Sequence, residues 1–125
     1  MSGLFGKKDY KNQIAGLCCV EVSGESCANC FSLMPVLKAI VDKRGDIRLV
    51  HVEADEETTA LMEEWDVTRV PTVLLMEDGK IFARCSGFQP EEILEIWMDA
   101  KLEEHRASKQ RRRRGTVHEG RKTHI

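Results

Sequence analysis

The 125-residue chain has no apolar run that approaches the ~20 residues of a membrane-spanning helix. The first eight residues, Met1–Lys8, lack the apolar stretch of a secretory signal peptide. No internal repeat occurs, and Arg111–Arg114 is the one low-complexity stretch. These absences argue against a membrane-spanning or secreted protein. They predict a cytoplasmic one, in a compartment where thiols are mostly kept reduced.

The composition is typical of a single globular domain, with 42% hydrophobic and 32% charged residues. The net charge of −2 hides a division along the chain. Residues 105–125 hold eight Lys or Arg against one Glu, whereas the preceding residues carry a net charge of −9. Residues 1–15 are predicted to be a leader with a short N-terminal segment, and residues 105–125 a basic tail.

The basic tail has few apolar residues, so we expect it to be disordered on its own. One interpretation is a solubilising extension. The other is an electrostatic arm for nucleic acid, an acidic protein or an anionic membrane surface, through Arg111, Arg112, Arg113 and Arg114. Because no aromatic residue is interleaved, nucleic-acid binding would use phosphates and be sensitive to salt.

Apolar periodicity predicts an α/β domain of four strands and three main helices. The strands are predicted over 17–22, 47–53, 70–76 and 81–85, and the helices from Phe31 to near Gly45, over 56–65 and from Pro90 to Leu102. A helix between the first two strands makes them parallel, whereas an Asp-Gly hairpin makes the last two antiparallel. The expected architecture is a mixed four-stranded sheet with helices on both faces.

Cys27 and Cys30 are spaced to form a small disulfide ring between the first strand and the following helix. The helix N-terminus favours a thiolate over a thiol, as dithiol–disulfide exchange requires. Two other interpretations are inert core thiols and half of a zinc site, which needs about two more ligands. Cys18, Cys19 and Cys85 include no second closely spaced pair, and we predict that they are small core residues.

The segment from Gly16 to Glu104 resembles the thioredoxin family. The resemblance combines the Cys-x-x-Cys pair with Glu21 six residues before it, Pro35 five residues after Cys30, the Val70-Pro71-Thr72 segment and Gly87. It implies a thioredoxin-like domain over 16–104 with a shortened N-terminus. Ser26, Ala28-Asn29 and Phe31 stand where thioredoxins usually have Trp, Gly-Pro and often Lys. These departures concern partner choice more than the fold.

The resemblance implies roles for the predicted site residues. Cys27 is the attacking nucleophile, Cys30 the resolving thiol, and Glu21 a buried carboxylate that takes or gives a proton. The alternative for Glu21 is a water-facing position at a strand edge. His51 is predicted to be a surface residue of a strand.

The resemblance also implies that three further residues bind substrate. A cis Val70–Pro71 bond presents the Val70 backbone to an extended substrate, and Gly87 borders the substrate groove. The alternatives are a trans Pro71 that opens a strand and a Gly87 that ends one.

The predicted function is a thiol–disulfide oxidoreductase that reduces protein disulfides and needs no bound cofactor or metal. The resemblance implies an NADPH-dependent thioredoxin reductase as electron donor. The main alternative is a thioredoxin-fold binding or adaptor module that uses its groove or basic tail without redox turnover. A metal or metal-cluster carrier is a third possibility.

Overall fold

The structure, a computed structural model, describes residues 10–123, with side chains for residue 10 and residues 12–113. Most of the predicted leader therefore lies outside the described residues. The helices are α1 (Tyr10–Gln13), α2 (Ala28–Arg44), α3 (Thr59–Glu64, after a 3-10 turn at Glu56–Thr58) and α4 (Glu91–Thr123). The strands are β1 (Leu17–Ser23), β2 (Arg48–Glu53), β3 (Thr72–Glu77) and β4 (Lys80–Ser86).

The four strands form one mixed sheet in the order β2-β1-β3-β4. β1 pairs with β2 in parallel, and β3 pairs antiparallel with both β1 and β4, which confirms the predicted architecture. The register places Glu21 opposite His51 on β2 and Val73 on β3. Because β1 and β3 are antiparallel, the end of β1 lies beside the start of β3, where Val22 pairs with Thr72.

Alternation along β1 directs neighbouring side chains into two separate cores. Cys19 packs on one face in a cluster with residues of α2 and α4, and Cys18 packs on the other face in a cluster with Trp65. Both cysteines are free and completely buried. Burial raises the pKa of each thiol, so both stay protonated and serve as the small packing residues that the sequence predicts.

Helix α2 begins earlier than its apolar periodicity predicts. It starts at Ala28 rather than Phe31, with Cys27 as its N-cap. Phe31 is 86% exposed and is not part of the face that packs on the sheet. The buried residues of α2 are Cys30, Leu33, Leu37, Ile40 and Val41. The dithiol therefore belongs to the first turn of the helix rather than to a loop before it.

Helix α4 continues through residues for which the sequence predicts disorder. No proline or glycine interrupts the chain between Glu91 and Arg114, and the first residues of the predicted tail contact the body. The side chains of His105 and Lys109 bind Glu77 at the end of β3, and the His105 ring stacks on Phe82 at a centroid distance of 3.7 Å. These contacts attach the first residues of the predicted tail to the end of β3, and the disorder of the tail on its own stays a prediction. The Arg114 side chain lies outside the described residues.

None of the helices over residues 10–123 is long and apolar enough to cross a membrane.

Candidate active site

A disulfide joins Cys27 and Cys30, whose Cα atoms are 5.3 Å apart. Cys27 has an extended backbone and caps α2, and the backbone N–H of Cys30 donates to its Sγ at 3.2 Å. The same N–H and the positive end of the 17-residue helix would stabilise negative charge on the Cys27 sulfur once the disulfide is reduced. This local geometry is suited to a nucleophilic thiolate.

The two sulfur-bearing residues differ in exposure. Cys27 is half-buried, whereas Cys30 is only 4% exposed. Ser26, directly before the pair, has a left-handed backbone with a φ of 58° and lies at the surface. An incoming disulfide can therefore reach Cys27, while Cys30 is shielded from other reactants. This is the exposure expected of an attacking and a resolving thiol.

The segment before β3 packs directly against the loop that carries the dithiol. The Val70–Pro71 bond is cis, as the resemblance predicts. A Cβ on Gly24 would lie 2.9 Å from Cγ2 of Val70, so a side chain at position 24 would force Val70 or one of the two loops to shift. Sequence reasoning did not single out Gly24, because its importance depends on a residue that is remote in the chain.

A hydrogen bond connects Gly87 to the Val70–Pro71 segment before β3. It follows β4 with a φ of 84°, and its N–H donates to the carbonyl oxygen of Pro71 at 2.8 Å. A Cβ added there would meet no atom within 4 Å, so the positive φ accounts for the glycine and the space beside it is open. The hydroxyl of Thr72 donates to the carbonyl of Arg69 at 2.7 Å and further holds the segment. The structure thus places Val70, Pro71 and Gly87 in connected loops.

Two phenylalanines are exposed beside the residues of the site. Phe31 follows Cys30 and is 86% exposed, and Phe88 follows Gly87 and is 40% exposed. Phe31 provides apolar surface next to the sulfur pair, and Phe88 provides it next to Gly87, whose N–H binds the carbonyl oxygen of Pro71. Sequence reasoning took Phe31 as the start of the helix and missed its exposure, because apolar spacing does not show which residues lie outside the stripe.

Glu21 is completely buried, which overturns the alternative of a water-facing glutamate. The Ser23 hydroxyl donates to its Oε2, and His51 Nδ1 lies 2.7 Å from its Oε1. Cys19 precedes Glu21 on the same face of β1, and Val73 lies opposite it on β3; both share a core cluster with Leu33 of α2. Glu21 therefore lies on the face of the sheet against which α2 packs.

His51 lies at the surface of β2, as predicted, but it also contacts the buried carboxylate. Its side chain is 44% exposed, and its Nε2 lies 2.9 Å from Oε1 of Glu53. Burial of the ring acts to lower its pKa, but hydrogen bonds and charge from Glu21 and Glu53 outweigh this effect and raise the pKa of His51. Alternation along each strand shows which side chains lie on the same face of that strand. It does not show that His51 lies beside Glu21, because that depends on the register between β1 and β2.

The remaining cysteine, Cys85 on β4, is free and partly buried, and burial raises the pKa of its thiol. Among the side chains that the structure describes, no group of three or more His, Cys, Asp or Glu residues is placed to hold a metal ion.

The chain is similar to known proteins over most of its length. The profile of the thioredoxin family matches residues 4–100. The thioredoxin of Bacillus subtilis is 32% identical over 79 residues, which cover 61% of this chain and 73% of that protein. The thioredoxin of Chlamydia trachomatis is 27% identical over 95 residues, which cover 75% of this chain and 92% of that protein. The H-type thioredoxin of Ricinus communis is 28% identical over 82 residues, which cover 66% of this chain and 69% of that protein.

Proposed function

Because the chain belongs to the thioredoxin family, we propose that it is a protein-disulfide reductase that acts through Cys27 and Cys30. The observation that carries the proposal is the asymmetry of the sulfur pair. Cys27 caps α2, accepts a backbone N–H and is half-buried, while Cys30 is buried directly behind it. Only one sulfur is thus placed to react with an external disulfide, and the other is held within bonding distance of the first.

The reaction consists of two exchanges that balance in electrons and protons. The Cys27 thiolate attacks one sulfur of the substrate disulfide, and the other substrate sulfur leaves as a thiolate and takes up a proton. Cys30 gives its proton to Glu21 and attacks the Cys27 sulfur. The Cys27–Cys30 bond forms, the bond from Cys27 to the substrate breaks, and the second substrate thiolate leaves. The Cys27–Cys30 disulfide is the oxidised form that this step would produce.

The substrate is proposed to lie along the segment before β3. Val70 can offer its backbone to an extended chain, since the following residue, Pro71, has no N–H that would compete. Gly87 leaves open space beside this segment, and Phe31 after Cys30 and Phe88 after Gly87 are exposed apolar side chains that a substrate could contact. An unfolded or loop segment that carries a disulfide next to an apolar residue fits this surface.

The electrons are proposed to come from an NADPH-dependent thioredoxin reductase, with no cofactor bound to the chain itself. Family membership supports this donor. We likewise propose that the protein works in the cytoplasm, where such a reductase keeps dithiols reduced.

The basic end of α4 is proposed to contact an anionic partner, either nucleic acid or an acidic protein. The side chains of Arg111, Arg112 and Arg113 are exposed along this helix, and Arg114 follows them. Titration with single-stranded DNA and with polyglutamate distinguishes the two classes, and binding through phosphates would weaken steeply as salt is raised.

The reduction of insulin with dithiothreitol as electron donor tests the function. The full chain should precipitate insulin much faster than dithiothreitol alone, and Cys27→Ser should abolish the gain. Cys30→Ser should instead trap a mixed disulfide on Cys27, which mass spectrometry detects. Cys85→Ser is the matched control, since this thiol lies outside the dithiol, and it should retain full activity. A wild-type rate equal to that of dithiothreitol alone contradicts the proposal.

Replacing dithiothreitol by NADPH and a thioredoxin reductase tests the proposed donor. Absence of NADPH oxidation, in a protein that remains active with dithiothreitol, overturns the donor and leaves the reductase function intact.

A further inference from the structure

The second half of α4 is a basic segment of a chain that is otherwise acidic. Residues 105–118 hold six Arg or Lys and no Asp or Glu, whereas residues 1–104 carry a net charge of −9. The side chains of Arg111, Arg112 and Arg113 are exposed on this helix. The same helix is attached to the body one turn earlier, where Lys109 binds Glu77. The arginines are therefore presented to solvent from a fixed position beside the β3–β4 hairpin.

The three exposed arginines lie on different sides of the helix. Successive residues of an α-helix are rotated by about 100° around its axis, so Arg111, Arg112 and Arg113 together span about 200° of the circumference. A flat acidic surface of a protein would contact one of these sides. A groove with negative charge on both walls would contact all of them at once. The arrangement therefore favours a grooved polyanion over an acidic protein surface.

A cleft beside the basic segment adds a second wall of positive charge. It lies between α4 and the β3–β4 hairpin, has a volume of about 1020 Å³ and is lined by Arg111, Arg112 and Lys80 among other residues. Lys80 begins β4 and is exposed. The cleft thus has a cation of the hairpin on one side and two arginines of α4 on the other.

The carboxylates that line the same cleft already have donors within the chain. Three of the four pair with a basic side chain and one accepts a backbone N–H; the pairs are Glu77 with Lys109, Glu103 with Arg106, Glu104 with Lys101, and Asp78 with the N–H of Gly16. Lys80 and Arg111, by contrast, have no ion-pair partner among the side chains that the structure describes. The cleft is therefore suited to an additional anion.

We propose that the basic half of α4 binds double-stranded DNA, with the helix in the major groove and one phosphate strand in the cleft between α4 and the hairpin. The inference rests on the anionic partner proposed above and does not depend on thiol–disulfide exchange. The major groove of B-DNA is about 12 Å wide, admits an α-helix and is bordered by a phosphate strand on each side. Contacts of Arg111, Arg112, Arg113 and Lys80 with phosphates would carry no information on base sequence.

Other polyanions fit this surface less well. The major groove of double-stranded RNA is deep and narrow, so an α-helix does not enter it. A single strand is bound largely by stacking of its bases on aromatic rings, and residues 106–125 contain no Phe, Tyr or Trp. A flexible acidic polypeptide has no pair of rigid charged walls. Duplex DNA should therefore bind more tightly than any of these three.

Fluorescence anisotropy with a labelled DNA duplex of arbitrary sequence tests the proposal on the full chain. An RNA duplex, one strand of the DNA and polyglutamate are the comparison ligands, all measured at the same salt concentrations. Four phosphate contacts predict a slope of about −4 for the logarithm of the DNA affinity against that of the salt concentration. The affinity should therefore fall by about 100-fold or more between ~50 and ~200 mM salt.

Single substitutions test the two walls of the cleft separately. Arg111→Gln and Lys80→Gln should each weaken DNA binding and make the salt slope shallower by about 1. Arg111→Lys keeps the charge and should keep the slope of the wild type. The matched control is Lys38→Gln, because Lys38 is an exposed lysine that pairs with Asp42 on α2, and it should bind DNA as the wild type does.

The results that would overturn the inference are specific. A chain that binds no duplex DNA at ~50 mM salt contradicts it, and so does equal or tighter binding of the RNA duplex, the single strand or polyglutamate. A wild-type slope in Lys80→Gln overturns the placement of a phosphate strand in the cleft.

Insulin reduction by the same preparations separates this inference from the proposed reductase function. A chain that reduces insulin but does not bind DNA overturns the DNA inference alone. A chain that binds DNA as predicted but does not reduce insulin contradicts protein-disulfide reduction and leaves the DNA inference standing.

Discussion

Two histidine–glutamate pairs of equal length lie at opposite ends of the sheet. His51 Nδ1 is 2.7 Å from Glu21 Oε1 near the end of β1, and His105 Nε2 is 2.7 Å from Glu77 Oε1 at the end of β3. The glutamates differ in their surroundings. Glu21 is completely buried, whereas the Glu77 side chain is 27% exposed and also binds Lys109. The distance between partners is therefore the same, but the environment of the carboxylate is not.

This difference indicates what each pair can do. Glu77 accepts from two side chains of α4, so its pair attaches the helix to the β3–β4 hairpin. Hydrogen bonds from Lys109 and His105 lower the pKa of Glu77, and this carboxylate is therefore a permanent anion near neutral pH. Glu21 has a hydroxyl and one imidazole as partners and is completely buried, and it is the carboxylate proposed above to take the proton of Cys30. Burial and position, rather than the distance within the pair, distinguish the glutamate that attaches a helix from the glutamate that is proposed to exchange a proton.

The largest expected effect is on the rate of insulin reduction, when Glu21 is replaced by glutamine and compared with the same substitution of Glu77. Glu21→Gln should slow insulin reduction by about 100-fold or more, since it removes the proton acceptor of the second exchange. Glu77→Gln should leave the rate unchanged, because it lies at the far end of the sheet. Insulin reduction by the two variants across neutral and mildly alkaline pH measures this contrast, and unchanged kinetics in Glu21→Gln would remove the role of Glu21.

A smaller effect is expected on stability at the Glu77 end. Glu77→Gln should lower the free energy of unfolding by about 1 kcal/mol at neutral pH, the upper range for a partly exposed ion pair. The folded pKa of Glu77 is lowered, so its stabilisation is present above the unfolded value of ~4.3 and is lost as the pH falls through the folded pKa. Urea unfolding at neutral and strongly acidic pH should show the two proteins converging in acid. If the two proteins differed in stability by the same amount at both pH values, the charge of Glu77 would not be the source of that difference.

The smallest effect on the free energy of unfolding is expected at His51, and its dependence on pH is opposite to that of Glu77. Its folded pKa is raised, so its stabilisation is fully present below the unfolded value of ~6.5 and is lost as the pH rises through the folded pKa. Because the ring is nearly half exposed, we expect His51→Gln to cost no more than about 0.5 kcal/mol in mild acid. Thermal unfolding on both sides of neutrality measures the difference, and a larger loss in alkali than in mild acid would contradict the assignment.

The sequence alone predicted the order of elements and the location of the dithiol. β1, the parallel crossover and the Asp-Gly hairpin follow from apolar patterns and turn chemistry that are local in the chain. The cis Val70–Pro71 bond came from the family resemblance, because nothing in the local composition distinguishes a cis from a trans proline.

The features that sequence reasoning missed depend on contacts between remote segments. The link from Glu21 to His51 requires the register of two strands, and the need for Gly24 arises from the position of Val70. The start of α2 was missed because its cap is a cysteine, which is not one of the usual capping residues. The last helix was predicted only as far as Leu102, because composition says nothing about the contact of Lys109 with Glu77.

The adjacent free cysteines of β1 can report whether the protein is folded, because both thiols are buried in the folded chain. Cys18 and Cys19 are buried in the cores on opposite faces of the sheet. A membrane-permeant maleimide can therefore alkylate both only if the packing on both faces of the sheet opens. Counting alkylated sulfurs in living cells would therefore distinguish intact molecules from unfolded ones, and partial labelling at one of the two positions would identify the layer that opened first.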